Sequence, residues 1–189
     1  MIRLRNLVAI SILALVPVLA HADNFTYNLN DRFANFSVTG TITTDMNLGT
    51  LAPSDIAAYD IFLNDGSKTL NLKQSNSQTL LWGSGVTVTA SGLFFNYSSN
   101  SGSFLLFQTP TVGSGTNYLC YQGQGGGCDD FNNAHESIDL GSDGQSGHQM
   151  RGTQEIASAA AVTPEPESLV LFGTGILALA GVARRKLIG

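Results

Sequence analysis

Basic residues are scarce in this sequence of 189 residues. Nine Lys and Arg stand against fourteen Asp and Glu, and five of the nine lie near the two ends of the chain. From Asp23 to Thr163 four cations remain against twelve acids, which gives this segment a net charge of −8. A chain of that charge repels nucleic acid and anionic membranes, because both are bound through clustered Lys and Arg. The composition therefore excludes nucleic acid as a partner.

Motifs for catalysis and for phosphate binding are also missing. The glycine-rich run 123–127 is not followed by Lys-Ser/Thr, and no G-x-S-x-G elbow occurs. His135 and His148 lack metal-ligand spacing to each other and to the cysteines, so we expect both on the surface. We predict that the protein is not an enzyme, has no catalytic residues and needs no cofactor. A secreted hydrolase is an alternative, with Glu136 and Glu155 as the two glutamates of the central segment.

Two clusters of acidic residues follow the glycine-rich run. Asp129 and Asp130 begin the first, and Asp139 and Asp143 form the second. The second cluster departs from a calcium loop, because Gly141 occupies its third position and a methionine its twelfth. We predict solvated loops and no metal site, with weak calcium binding by these four aspartates as the alternative.

The chain has two cysteines, Cys120 and Cys128, separated by seven residues that include four glycines. Such a loop can fold back and bring the two sulfur atoms together. In an oxidising compartment the pair is expected to form a disulfide. The alternative is a catalytic thiol with His135 or His148 as its base.

The central segment shows short strands separated by turns. Phe36, Val38 and Ile42 share one face of a period-two pattern. Leu93–Tyr97 and Ser103–Phe107 flank a Ser/Asn/Gly turn, which predicts a hairpin. Pro53-Ser54-Asp55, which stands before Ile56-Ala57-Ala58, is expected to cap one helical turn. Further predicted strands are Val86–Ala90, Tyr59–Leu63, Leu70–Lys73, Leu80–Trp82, Asn117–Tyr121, Ser137–Leu140 and Thr153–Ala157.

Eight to ten short strands, with turn signals every eight to twelve residues, favour a particular all-β architecture. We predict an antiparallel β-sandwich of jelly-roll or Greek-key type, formed by residues 23–160 as one domain. Outside the two terminal segments the sequence shows no helix of substance and no internal repeat.

The N-terminal segment has the three parts of a secretory signal peptide. Arg3 and Arg5 provide the positive charge, Leu7–Leu15 is apolar, and Ala20-His21-Ala22 is a small-residue cleavage site. We therefore predict a signal peptide over residues 1–22, cleavage before Asp23, and export by the Sec machinery. The alternative is an N-terminal anchor helix.

The C-terminal segment, 161–189, also has three ordered parts. Pro164, Glu165 and Pro166 form a stiff extended box, and the apolar run Leu169–Ala183 follows. Arg184, Arg185 and Lys186 come directly after it and stay cytoplasmic under the positive-inside rule. We predict a transmembrane helix that anchors the precursor in the inner membrane. At about 15 residues the run is short for a span, so a buried core helix is the alternative.

This tripartite tail resembles the PEP-CTERM sorting signal of Gram-negative bacteria, also labelled an ice-binding protein C-terminal domain. The resemblance covers the last 27 or so residues and rests on Pro164, Glu165 and Pro166, the glycines of the apolar run, and the basic cluster. It implies an exosortase as partner, cleavage near the box, and delivery to the cell surface or the extracellular matrix.

A second resemblance lies within the central segment. Gly40 begins the run G-T-I-T-T-D, a G-T-L box starts at Gly49, and the run A-S-G-L-F-F starts at Ala90. These runs look like a recurrent ectodomain of PEP-CTERM proteins, although Tyr59 stands where a tryptophan is common and Asn96 where an aspartate is common. The resemblance supports the architecture and implies no activity.

Three classes of function follow from these observations. The first is an exported structural or interaction protein associated with exopolysaccharide. The second is a carbohydrate-binding module in which exposed Trp82, Tyr97, Tyr118 or Tyr121 would stack on sugar rings, unless these aromatic residues fill the core. The third is the secreted hydrolase.

Overall fold

A computed structural model describes residues 24–33, 35–45, 48–98, 102–125, 127–128, 133–141 and 145–160. The chain divides into two units, Met1–Ala159 and Ala160–Gly189, and the strands belong to the first. The strands are β1 Phe25–Phe33, β2 Phe36–Thr44, β3 Gly49–Thr50, β4 Ile56–Asn64, β5 Thr69–Lys73, β6 Gln78–Trp82, β7 Val86–Val88, β8 Gly92–Asn96, β9 Phe104–Thr109, β10 Asn117–Gln122, β11 His135–Leu140, β12 Gln145–Gln149 and β13 Thr153–Ala159.

The strands form two sheets in which every recorded pair is antiparallel. The eight-stranded sheet has the order β3-β7-β8-β13-β1-β2-β4-β5, and the five-stranded sheet has the order β12-β11-β10-β9-β6. The prediction of an all-β, antiparallel protein is confirmed. The finer description as a jelly-roll or Greek-key type stays a prediction.

Alternating side chains explain why the two sheets face each other. In β1, Tyr27, Leu29 and Phe33 are buried while Asn28 and Asn30 are exposed, as expected for a strand with one face on a core. The buried faces of both sheets contribute to one apolar cluster. Across it, the rings of Tyr59 and Phe107 lie 4.9 Å apart. The inner faces thus pack as the two layers of a sandwich.

The predicted hairpin between Leu93–Tyr97 and Ser103–Phe107 is wrong. β8 pairs with β7 and β13 in the eight-stranded sheet, whereas β9 pairs with β6 and β10 in the other. The connection therefore crosses between the layers. The run Leu105 to Gln108 of β9 is buried on both faces, which fits an interior strand better than one arm of a surface hairpin.

The segment Ile56-Ala57-Ala58, which was expected to follow the cap as a helical turn, begins strand β4 instead. The helical turn is a 3-10 turn formed by Pro53–Asp55. Its Asp55 carboxylate accepts a hydrogen bond from the backbone N–H of Ala52 at 2.8 Å. Among the described residues no helix has the length and apolarity needed to cross a bilayer. The predicted signal peptide and the predicted C-terminal helix lie outside those residues.

Candidate functional site

One row of side chains crosses the inner face of the five-stranded sheet and changes from apolar to polar along its length. Register places Leu81 beside Leu105, Leu105 beside Tyr121, Tyr121 beside Glu136, and Glu136 beside His148. The same inner face of β11 carries the core residues Ile138 and Leu140. Glu136 therefore points into the sandwich, with 1 % of its surface exposed.

The opposite sheet contributes a second carboxyl group. Asp31 occupies an inward position of β1, between the buried side chains of Leu29 and Phe33. The Phe33 ring lies 4.8 Å from the His148 ring, which brings this end of β1 over β12. Asp31 is close enough to Glu136 for a hydrogen bond between the two carboxyl groups, provided that one of them carries a proton.

The pKa of Glu136 is strongly raised by its surroundings. Burial, and then the negative charge of Asp31, raise the pKa of Glu136 to about 9. Glu136 is accordingly a neutral acid at pH 7, able to donate its proton to Asp31. Burial, with the charges of Glu136 and Asp31 adding to it, also raises the pKa values of Tyr97 and Tyr121 well above the ordinary value.

Several polar atoms of this cluster are enclosed without a hydrogen-bond partner from the described part of the chain. They are the hydroxyls of Tyr97 and Tyr121 and Nδ1 of His148, whereas the Glu136 carboxyl group has Asp31 as its partner. A buried polar group left unsatisfied costs about 1–3 kcal/mol, so such groups are rarely gathered in one place without a reason. We call Asp31, Tyr97, Tyr121, Glu136 and His148 the acid cluster.

A cavity of about 330 Å³ opens beside the acid cluster and includes Asp31 and His148 in its wall. The other lining residues are Asn28, Asn30, Met150, Gln154, Glu155, Ile156, Ala157 and Ser158. The arrangement can hold a proton between two carboxyl groups and can present oxygen acceptors to a ligand. Glu136 is enclosed behind this wall, so direct attack on a substrate by its carboxyl is not available.

The outer face of the five-stranded sheet carries the disulfide. Cys120 and Cys128 are bonded, with their Cα atoms 6.4 Å apart, as their spacing predicts. Gln122 fixes the loop between them: its side-chain oxygen accepts from the Cys128 N–H at 3.0 Å, and its amide donates to the Asn133 carbonyl at 3.5 Å. Because both sulfur atoms are bonded, the alternative of a catalytic thiol is wrong for this oxidised form.

The four aromatic residues considered for sugar stacking separate into two groups. Tyr97, Tyr118 and Tyr121 are buried, whereas Trp82 is 62 % exposed. Trp82 lies on β6 at the edge of the five-stranded sheet, beside Phe104 of β9 and two residues from the exposed Leu80. Of the four aromatic residues, Trp82 is therefore the one exposed enough to stack on a sugar ring.

The structure describes one of the four aspartates that were considered as weak calcium ligands. Asp129, Asp130 and Asp143 lie outside the described residues, and Asp139 accepts a hydrogen bond from the Gly141 N–H at 2.6 Å. Within the described ranges no group of three His, Cys, Asp or Glu side chains could hold a metal ion.

The expectation of two surface histidines is wrong. His135 is buried, with Nδ1 2.6 Å from the Asn133 carbonyl, and His148 is half-buried against Phe33. The strand pairing is the reason, because both histidines lie in strands of the five-stranded sheet and not in a loop.

The sequence prediction missed the acid cluster as a unit. The sequence signal was the two-residue alternation of two strands, which places each acid on the same face as apolar residues. Asp31 follows Tyr27 and Leu29 at intervals of two, and Glu136 precedes Ile138 and Leu140 in the same way. An acid at an inward position of an apolar alternation is uncommon and deserves a search for its partner.

The residues named for sorting and processing lie outside the described part of the chain. They are Ala20, Ala22 and Asp23 at the predicted cleavage site, and Pro164, Glu165, Pro166, Arg184, Arg185 and Lys186 in the tail. Their roles in processing therefore stay predictions.

Comparison with known families gave one match. Residues 162–186 match the family of the PEP-CTERM protein-sorting motif, which covers the box, the apolar run and the basic cluster. The resemblance predicted from the sequence is confirmed for this segment. No curated protein and no solved structure matches the chain significantly.

Proposed function

We propose that this chain is an exported protein of structural or interaction type that an exosortase delivers to the cell surface or the extracellular matrix, where it is associated with exopolysaccharide. The match of residues 162–186 to the PEP-CTERM sorting motif carries the proposal. A β-sandwich with a disulfide on its outer face suits an oxidising location outside the cytoplasm. The precursor would be held in the inner membrane of a Gram-negative bacterium before processing.

The test is intact-mass analysis of the protein recovered from the cell surface and from the medium. The expected mature form begins at Asp23 and lacks the basic cluster Arg184–Lys186. Replacing Pro164 and Pro166 by alanine should leave the tail attached, because the stiff box would no longer be presented to the protease. A surface-located native protein that still carries Lys186 would contradict exosortase processing.

We also propose that the domain is not an enzyme. The acid pair of Asp31 and Glu136 is its most reactive-looking feature, but Glu136 is 1 % exposed and does not line the cavity. A general acid has to reach the atom that it protonates. Support for a binding or structural role is therefore stronger than support for the hydrolase.

Carbohydrate binding through Trp82 is the second candidate function. It is favoured by the 62 % exposure of this ring, which is unusual for tryptophan in a folded domain. Co-sedimentation with purified exopolysaccharide should fall about tenfold in Trp82→Ala, since stacking is worth on the order of 1–2 kcal/mol. Phe62→Ala, which removes a 44 % exposed ring from the other sheet, is the matched control. Equal losses in both variants would speak against a stacking site.

A further inference from the structure

Strand β6 forms an edge of the five-stranded sheet that has none of the usual protection. Within the described part of the chain it pairs with β9 and with no other strand, so the other side of its backbone is open to pairing. Such edges are commonly blocked by charged side chains, by proline or by a very short strand. β6 has five residues, Gln78–Trp82, with no charge and no proline. Its side chains Leu80 and Trp82 are 37 % and 62 % exposed.

The other described sheet edges differ from β6 in length or in side chains. β3, at one end of the eight-stranded sheet, has two residues, and β5, at the other end, has the exposed Lys73. β12, at the far edge of the five-stranded sheet, has the sequence Gln-Ser-Gly-His-Gln and no large apolar side chain. Among these edges, β6 is therefore the one best suited to receive another strand.

Charge is absent from a long part of the chain around β6. From Gln74 to Cys128 the sequence has no Asp, Glu, Lys, Arg or His, and this stretch includes β6, β9 and β10. The charges of the segment from Asp23 to Thr163, which sum to −8, all lie outside it. Two copies of the chain repel each other where their acidic surfaces meet, whereas β6 places no like charges against each other.

The space beside β6 is open, and apolar side chains continue across its outer face. A cavity of about 480 Å³ borders the strand from Gln78 to Leu80, and none of its described lining residues is charged. On the outer face, Leu80 lies beside Leu106 and Trp82 beside Phe104. Leu106 belongs to a second apolar cluster and Phe104 packs against it. A strand added at this edge would extend the cluster and cover Leu80 and Trp82.

We propose that β6 pairs antiparallel with β6 of a second copy of this chain, which joins two five-stranded sheets into one sheet of ten strands. Pairing over the full strand is centred on Leu80, so Leu80 lies opposite Leu80 of the second copy and Gln78 lies opposite its Trp82. The contact is isologous, because both copies use the same surface. It buries no charge, covers the exposed apolar side chains of both copies and pairs the open backbone groups of both edges.

Trp82 provides a direct signal for this pairing, because it is the one tryptophan of the chain. Its ring is exposed in the single copy and would be covered in the pair. Tryptophan emission therefore reports on the β6 edge itself. A covered ring is also closed to a sugar, so self-association and sugar stacking by Trp82 exclude each other at one strand.

The test uses the full-length chain in mild detergent, with the detergent concentration held constant while the protein concentration is raised. Sedimentation equilibrium should show conversion of monomer to dimer between about 1 μM and 1 mM, the range suited to a small interface. Trp82 emission should shift to shorter wavelength with the same midpoint as the mass. Deuterium uptake by the amides of Gln78–Trp82 should fall over the same range, because strand pairing protects them.

Charged variants test the register. Since position 80 faces itself across the two-fold axis, Leu80→Lys and Leu80→Glu each oppose like charges and should weaken self-association about tenfold or more. An equimolar mixture of the two variants should associate about tenfold more tightly than either alone, because opposite charges then meet. Phe62→Lys is the matched control: it places a charge at a 44 % exposed position of β4 and should associate like the wild type.

Four results would overturn the proposal. The first is a monomer over the whole concentration range. The second is a dimer that Leu80→Lys and Phe62→Lys weaken equally or not at all, which would assign self-association to another surface, such as the terminal segments. The third is a mixture of the Lys and Glu variants that associates no better than each alone. The fourth is a Trp82 emission that responds to exopolysaccharide and not to protein concentration, which would assign the ring to a sugar.

Discussion

A carboxyl group enclosed in a protein core is costly to ionise, and Glu136 is such a group. Its neighbours are Asp31 from β1, Tyr97 after β8, Tyr121 on β10 and His148 on β12. None of them is a lysine or arginine that could compensate a negative charge there. At the residue scale, Glu136 is therefore stable in the core as a protonated acid, and ionisation of its carboxyl group would destabilise the domain.

The stability of the domain should therefore fall as pH rises, because the folded state holds Glu136 in its protonated form. The pKa of Glu136 is about 9 in the folded state against an ordinary value of 4.5, so between these values the folded state holds one proton more than the unfolded state. The contribution to stability is full below pH 4.5 and is lost as pH rises toward 9, by up to about 1.4 kcal/mol per pH unit. Urea unfolding from pH 5 to pH 9 measures it.

A glutamine substitution at Glu136 isolates the contribution of this side chain to the pH dependence of stability. Glu136→Gln keeps the shape of the side chain and cannot ionise, so it should unfold with a flatter pH profile than the wild type. Glu155→Gln changes the other glutamate of the domain, which is exposed, and should keep the wild-type slope. A wild-type stability that rises between pH 6 and pH 9 would contradict the neutral, buried state of Glu136.

At the scale of secondary-structure elements, the close approach of β2 and β4 depends on Gly40. Gly40 lies opposite Ile61, has a φ of +130°, and a Cβ placed on it would overlap the backbone carbonyl of Asp60. A side chain there would therefore meet both backbone strain and a steric clash. This explains why the run G-T-I-T-T-D begins with glycine.

We predict that Gly40→Ala destabilises the domain by about 2–4 kcal/mol, the range expected for strain combined with a backbone clash. Gly49→Ala is the matched control, since its φ is +113° and nothing lies within 4 Å of the position that a Cβ would take. The control should cost less, because it meets the strain without the clash. Thermal unfolding of both variants gives the comparison, and equal losses would remove the role assigned to the carbonyl of Asp60.

Some strands can be predicted from the local sequence, whereas others, and the pairing of strands, cannot. The alternation of Phe36, Val38 and Ile42 predicts β2, and the structure has that strand. Local pattern did not predict β1, where Asn and Asp side chains obscure the alternation, nor the partner of β8. Because partners are chosen through contacts distant in sequence, the position of Asp31 opposite Glu136 could not be obtained from either strand alone.

At the scale of the whole molecule, the sandwich should be stable without its terminal segments. Residues 24–160 bury aromatic and aliphatic side chains from both sheets in a continuous core, and a domain of this length buries roughly two-thirds of its unfolded surface. We predict that a fragment from Asp23 to Thr163, produced in an oxidising host, unfolds cooperatively in the presence of a chelator. Millimolar calcium should raise the midpoint only slightly, by relieving acidic repulsion. A fragment that is unfolded in chelator and restored by calcium would make the acidic loops structural metal sites.

The position of β13 between β8 and β1 has a consequence for the order of events during export. A chain that crosses a membrane from its N-terminus delivers β1 first and β13 last. The centre of the eight-stranded sheet therefore stays open until Thr153–Ala159 has crossed, and the domain cannot complete its fold while still threading through a narrow channel. Residues 162–186 follow immediately in the sequence. In a chain exported from its N-terminus, as the predicted signal peptide implies, closure of the sheet would come just before the sorting motif reaches the membrane. A truncated chain without β13 would then leave its eight-stranded sheet unfinished.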